Sequence, residues 1–259
     1  MRILLTNDDG IYAPGLRALR SELRKLGSVS VIAPATEQSA VGHSITLLTP
    51  LLVQEMQDEN QEFLGWAVEG RPADCVKLAL LELLPEKPDL IVSGLNAGSN
   101  AGINVLYSGT VAAAFEGAFI GITSIAVSLE YTTPKLDFAK GAVFAREVVE
   151  QIMAHRPAVG TLFNVNIPSL DRGPIKGIRT VPQNTMGYLE TFDRRTDPRG
   201  RTYFWSNPGI GCPDPHPDTD VSCMKDNYIT VTPLQFDLTH RERLAEMNKW
   251  QWNLQKPRS

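Results

Sequence analysis

The first ten residues, MRILLTNDDG (1–10), carry the reading that decides the fold. Arg2–Thr6 (RILLT) is a short apolar run without polar/apolar alternation. Such a run suits a strand covered on both faces, as in a parallel sheet. It breaks into Asn7-Asp8-Asp9-Gly10, a polar turn where the chain leaves the strand. Beyond it, Leu16, Leu19, Leu23 and Leu26 recur at spacings of three, four and three, and Gly27 follows. That spacing predicts an amphipathic helix with a glycine stop.

The same alternation runs outward from this start. Val29–Ala33, Leu90–Ser93, Ile122–Leu129 and Leu162–Ile167 read as strands, and Thr46–Met56 and Glu62–Val68 as two more around the turn QDENQ. Pro72–Leu84, Gly109–Ile120 and Phe138–Ala154 read as helices. Apolar strands separated by helices predict an α/β fold with a mostly parallel sheet covered on both faces and right-handed crossovers.

After Pro168 the character changes. Arg179–Val181, Tyr188–Phe192 and Thr202–Trp205 are strand-like, and DRRTDPRGR (193–201) between the last two is a turn signal. A projecting hairpin is expected, carrying Tyr188, Phe192, Tyr203 and Trp205, which need a surface to pack on; a partner subunit would provide one. A polar stretch from Asn207 to Asp220 follows, then strand Tyr228–Val231 and a short helix near Arg241–Trp252.

Composition narrows the function. A formal net charge of -4 argues against a duplex nucleic-acid or anionic-membrane surface, which needs clustered Lys and Arg. Three cysteines without a CxxC pair make a disulfide framework or a structural zinc site a poor reading. No apolar stretch reaches the ~20 residues of a membrane span, and the N-terminus lacks a signal-peptide core. The expectation is a cytoplasmic protein.

In a parallel α/β sheet, ligands gather beyond the carboxyl ends of the strands. Four loops at that edge are rich in ligand-capable groups. Asp8 and Asp9 are adjacent carboxylates, and holding both ionised calls for a cation; a hard divalent ion with oxygen ligands is the economical one. The loop 34–46 (PATEQSAVGHSIT) adds Ser39, whose hydroxyl could complete an oxygen-rich sphere, and His43, which reads more readily as structural than as catalytic. The loop 93–104 (SGLNAGSNAGIN) offers the neutral oxygen of Asn96. Ser108, Gly109 and Thr110 open a helix and form an anion site from hydroxyls and free N–H groups. Singly, the acidic turn reads better as a capped helix and the 34–46 loop better as a hydrogen-bonded turn, and the Ser108 turn reads equally well as an ordinary N-cap. Together they describe metal-assisted phosphoryl hydrolysis.

The stretches LLTNDDG, APATEQSAVGHSIT, GRPADCVKLAL, DLIVSGLNAGSNAG, YSGTVAAAFEG, FNVNIP and RRTDPRGRTYFW, and Asp220 through Leu234, resemble the SurE family in order and spacing over nearly the whole chain. The resemblance implies a Rossmann-like three-layer core in a single domain, 1–259. Within it, 1–170 would be the α/β core and 171–259 the hairpin arm and a C-terminal segment exchanged between subunits of a homodimer or homotetramer. It also implies a phosphatase that takes nucleoside 5′-monophosphates to nucleoside and phosphate by attack of a metal-activated water. One divalent cation per subunit (manganese, magnesium or cobalt) would sit on Asp8, Asp9, Ser39 and Asn96, with Asp8 and Asp9 as catalytic groups. Asn7, Asn100, Ser108, Gly109 and Thr110 would bind the substrate phosphate. Arg71, Asn104 and Ala112 depart from the family's usual Thr, Asp and Gly, and Arg71 and Asn104 could alter substrate preference; the resemblance also leaves room for 3′-nucleotides and short polyphosphate as further substrates.

Two rivals stand beside this reading. An aspartyl-phosphate enzyme would use Asp8 as nucleophile, but its acids usually stand as Asp-x-Asp, and Gly10 occupies that second place. A phosphoacceptor sensing module would want an Asp after a central strand, where Leu90–Ser93 is followed by Gly94-Leu95-Asn96.

Overall fold

The structure is a computed structural model, and it describes residues 1–133, 135–187, 189–206 and 212–253. Its centre is a nine-stranded sheet in the order β3-β4-β2-β1-β5-β6-β7-β11-β8. The strands are β1 (Arg2–Thr6), β2 (Ser28–Pro34), β3 (Val53–Gln57), β4 (Phe63–Val68), β5 (Leu90–Ala97), β6 (Ser124–Leu129), β7 (Leu162–Ile167), β8 (Ile178–Thr180) and β11 (Ile229–Leu234). From β4 through β2, β1, β5 and β6 to β7 every pairing is parallel. Only β3 on β4 and β11 on β7 run antiparallel.

The apolar run of β1 explains its place in the middle. Ile3 and Leu5 face one layer, with Leu16, Leu19 and Leu23 of α1 (Pro14–Leu23) and Ala142, Ala145 and Val149 of α4 (Phe138–Ala154). Leu4 faces the other, with Cys75 and Val76 of α2 (Pro72–Leu78) and Ala113 of α3 (Gly109–Phe119). Three layers result, and both faces of β1 are dry. Chain order runs outward from β1 to β2 and β4, then returns to the opposite side of β1 as β5. The order of the strands reverses between β1 and β5, the place where open α/β sheets bind ligands.

Several elements differ from the sequence expectation. The expected strand Thr46–Met56 is shorter and shifted, β3 covering Val53–Gln57, and residues 35–52 run as one long connection without regular structure. The expected helix Pro72–Leu84 is α-helical to Leu78 and ends in a π turn over Ala79–Leu83. The strand expected at Leu90–Ser93 runs on to Ala97 through an irregularity in its pairing with β6 between Ser93 and Asn96. Asn96 therefore sits on a strand end rather than in an open loop. Gly27 is not a left-handed helix cap: a Cβ there would stand 1.9 Å from the Met1 carbonyl oxygen, so the residue lets the return to β2 pass beside the N-terminus.

After β7 the chain both extends the sheet and leaves it. β11 and β8 continue the main sheet, so residues after 170 supply core strands as well as an arm. The arm is a separate antiparallel pair, β9 (Phe192–Thr196) with β10 (Thr202–Ser206), exposed along its whole length. Its turn is tighter than the span 193–201, because Asp197 accepts the N–H groups of Arg199 and Arg201, each at 2.9 Å. Tyr188 of the expected first arm strand, and 207–211 of the expected polar stretch, lie outside the described residues. Asp220, the expected end of that stretch, opens a short helix, α5 (Asp220–Lys225). The terminal helix α6 covers Arg241–Met247 rather than reaching Trp252. No helix among the described residues is long and apolar enough to cross a membrane.

Candidate active site

The end of β1 delivers Asp8 and Asp9 to the point where the strand order reverses. The turn holds itself closed: the Asn7 amide donates to the Gly10 carbonyl at 2.9 Å and accepts the Gly10 N–H at 3.2 Å. Asn7 is fully buried in that role, and its side chain is committed to the turn.

Two neighbouring loops are stitched onto the same turn. The Gln38 N–H donates to the Asp8 carbonyl at 2.7 Å, which sets Ser39 and Glu37 beside the acidic pair. The Ala97 N–H donates to Asp9 Oδ2 at 3.3 Å, which sets the neighbouring Asn96 on its other side. Buried Asp74 holds the far end of the 35–52 connection by accepting the Thr46 N–H at 3.0 Å and the Arg71 N–H at 2.8 Å.

The N-terminus of α3 closes the site. Ser108 caps it, its hydroxyl accepting the Val111 N–H at 3.1 Å, and the Thr110 hydroxyl donates to Asp8 Oδ1 at 2.6 Å. Gly109 is there for contact. A Cβ at that position would meet Asp8 Cβ at 2.9 Å and Pro72 Cγ at 3.1 Å, so only glycine lets the helix end approach the carboxylate.

A second tier of polar groups lies beneath. The Asn100 side chain donates to Ser128 Oγ at 2.8 Å and to Thr110 Oγ1 at 3.4 Å. Its backbone N–H donates to Asn166 Oδ1 at 2.8 Å, and its carbonyl accepts the Asn164 amide at 2.7 Å. The next turn of that loop is anchored by Asp220, fully buried, which accepts the N–H groups of Gly102, Asn184 and Val221, each at 2.8 Å. Sequence reasoning did not single out Glu37, Ser128, Asn164, Asn166 or Asp220 for any role. For the asparagines the signal was present: Asn-x-Asn near the carboxyl end of an apolar strand puts two amides on one face. For Glu37, Ser128 and Asp220 there was none, because their partners are distant in sequence.

Burial pushes the Asp9 carboxyl up to about 6, and the charges of Asp8 and Glu37 push the same way against the Ala97 N–H. Asp8 is also raised by burial, with the Thr110 hydrogen bond opposing. Among the described residues, neither carboxylate forms an ion pair with Lys, Arg or His. No group of three His, Cys, Asp or Glu side chains there makes a metal site alone, so a cation at this edge needs the neutral oxygens too.

The four expected ligands fit that need. Ser39 gives its hydroxyl proton to Glu37 Oε1 at 2.7 Å, which leaves its lone pairs free. The Asn96 amide donates to the Gly98 carbonyl at 2.7 Å, which turns its Oδ1 away from that bond. Thr110 takes Asp8 Oδ1 and Ala97 takes Asp9 Oδ2, so each carboxylate keeps a second oxygen. An uncompensated acidic pair with two oriented neutral oxygens suits a hard divalent cation.

His43 stands apart from this group. Its Nε2 pairs with Glu116 Oε1 at 2.8 Å, on the outward face of α3.

Comparison with known proteins places the chain in a family. The family model "Survival protein SurE" matches residues 3–190, a span that holds every residue of the acidic edge. A 5′-nucleotidase SurE of Rhodopirellula baltica is 51% identical over 251 residues, 96% of this chain and 98% of that protein. One of Desulforudis audaxviator is 47% identical over 254 residues, covering 96% and 97%. Among solved structures, the SurE protein from Aquifex aeolicus superposes with a TM-score of 0.82 at 36% identity, covering 96% of this chain and 98% of that one. A family model over residues 3–190 and relatives about half identical over nearly the whole chain give one conclusion: this chain belongs to the SurE family.

Proposed function

We propose that this chain is a divalent-metal-dependent phosphatase that hydrolyses nucleoside 5′-monophosphates to nucleoside and phosphate. The observation that carries the reading is the uncompensated Asp8–Asp9 pair lying against the N-terminus of α3. The relatives named 5′-nucleotidase supply the substrate class.

Asp8, Asp9, Ser39 and Asn96 would hold one manganese, magnesium or cobalt ion. Such an ion supplies Lewis-acid stabilisation of a phosphate oxygen and makes a nucleophilic water available at neutral pH. The protein's part is placement and charge. The first-turn N–H groups and dipole of α3 favour the anionic phosphate, with Ser108, Gly109 and Thr110 around it. Thr110 fixes the rotation of the Asp8 carboxylate, and Asn100 in turn fixes Thr110 through the tier rooted in β6 and β7. Asp8 or Asp9 would also pass a proton to the leaving oxygen. Asn7 acts by bracing the turn. Short polyphosphate and 3′-nucleotides present the same phosphate to this edge. The exposed aromatics of the arm and the C-terminal segment would bury themselves in a homodimer or homotetramer.

The deciding experiment titrates phosphate release from AMP against added manganese, magnesium and cobalt. Release should require one of these ions and vanish with chelator. Release that ignores chelation would sink the reading, as would trapping of a phosphoenzyme on Asp8.

A further inference from the structure

A cleft of about 260 Å³ opens beside the site, on the outward face of α3. Ser108, Ala112, Phe115 and Phe119 line it at spacings of four, three and four, one stripe down the helix. The stripe begins at the residue that caps α3, two positions before the Thr110 hydroxyl that binds Asp8. At ~1.5 Å per residue, Phe115 lies about 10 Å down the helix from Ser108.

Its wall is aromatic and its rim is polar. The His43 ring lies flat against Phe119 at 5.5 Å and 8°, and against Phe115 at 5.9 Å and 27°. Glu116 pins His43 through Nε2, so Nδ1 is left without a partner among the described residues. Phe236, arriving from beyond β11, meets Phe119 edge-on at 4.9 Å. The Gly42 N–H donates to the Tyr107 carbonyl at 3.0 Å, which clips the His43 loop to the approach of α3. Phe119 is nonetheless 47% exposed.

We propose that this cleft is the nucleobase subsite of the phosphatase, with the His43, Phe115 and Phe119 rings as its wall and His43 Nδ1 as a polar contact for the base edge. The inference rests on the nucleoside-monophosphate reading above. Three features select a base over other occupants. The cleft shares Ser108 with the proposed phosphate site, so the two are neighbours. Its volume is below that of pockets that enclose whole drug-sized ligands, which suits one ring system. Flat aromatic walls beside an unpaired imidazole nitrogen match a flat heterocycle with nitrogen and oxygen edges, which an acyl chain is not. Selectivity among bases would come from the His43 edge, and tolerance of several bases from the sequence-indifferent stacking.

The test compares AMP with ribose 5-phosphate, which has the same phosphate and sugar without the base, using the full chain with manganese. The readout is the ratio of kcat/KM for AMP to that for ribose 5-phosphate. In Phe119→Ala the ratio should fall about 5- to 150-fold, carried by the KM for AMP, and Phe119→Tyr should restore it. An equal loss on both substrates, or no change on either, overturns the proposal. So does an unchanged ratio with an altered oligomeric mass, which would make the cleft a subunit contact. If the unmodified protein releases phosphate from neither substrate, the reaction class has failed. Calorimetry then decides the subsite alone: AMP binding tighter than ribose 5-phosphate and lost in Phe119→Ala upholds it, and absence of AMP binding overturns it.

Discussion

The two ends of β1 handle the same residue type in opposite ways. At the amino end, Asp89 accepts the Arg2 N–H at 2.7 Å and faces its guanidinium at 3.2 Å, with Glu86 on the same arginine. Those contacts hold the Asp89 carboxyl below the usual range. At the carboxyl end, Asp9 pairs with no Lys, Arg or His among the described residues, is partly buried beside Asp8 and Glu37, and is raised to about 6. Both ends belong to one strand in one sheet. What differs is that charge is neutralised in water at one edge and left uncancelled in a drier place at the other. A fold tolerates uncancelled charge where something else completes it, which is the ground for proposing the carboxyl edge as the working one.

The sharpest break of this contrast is to neutralise one carboxylate at each end. Asp9→Asn should lower AMP hydrolysis by roughly 10³-fold or more, on the scale of lost catalytic groups, while the fold persists. Asp89→Asn should leave kcat/KM unchanged. Phosphate release and a thermal melt on both variants check the pair; near-normal metal-dependent turnover in Asp9→Asn would dissolve the distinction between the ends.

A smaller effect probes how Asp8 is held. Thr110→Val removes the hydroxyl proton on Asp8 Oδ1 with little change of shape, and should weaken metal affinity or activity by about 10- to 100-fold, as for other groups that orient a ligand. Metal titration followed by kinetics at saturating metal separates the two losses.

The pH dependence is gentler still. A carboxyl raised to about 6 is protonated below that value, and a metal ligand must be deprotonated. Metal affinity should therefore hold steady above about pH 7 and fall by up to about tenfold per unit below 6. In the metal-free protein the sign is the reverse of an ion-paired acid: the stability conferred by protonating Asp9 is fully present below the unfolded value of 3.8, falls as pH rises between the two values, and is gone above about 6. Calorimetric metal titrations from pH 5 to 8 check the first; affinity that keeps full strength down to pH 5 would show that Asp9 is not a ligand.

The arm and the site also differ in how legible they were. The hairpin was visible because its turn chemistry is local: Asp197, Pro198 and Gly200 act within five residues of one another. Its second strand lies where expected, while the first, expected at Tyr188–Phe192, runs over Phe192–Thr196, because a fully exposed strand carries no burial pattern to fix its bounds. In the site, Asp8, Asp9, Ser39, Asn96 and Thr110 stood out as polar groups following apolar strands or opening a helix. Ser128, Asn166 and Asp220 did not, since a buried polar residue reads like any other until its partner is known. The break in the helix at Leu78 and the run of β5 to Ala97 escaped for a related reason, being set by packing and sheet pairing rather than by local preference.

By itself, then, the sequence determined the layers, the parallel centre and the acidic turn, because apolar period and turn residues act over a few neighbours. Family membership was legible too, carried by motif order along the chain. The tertiary structure alone decided which loops meet. Gln38 reaches Asp8 across 30 residues, Ala97 reaches Asp9 across 88 and Thr110 reaches Asp8 across 102, because β1 lies between β2 and β5 with α3 ending above them. Long-range hydrogen bonds of this kind follow from strand order, and strand order is a property of the closed sheet.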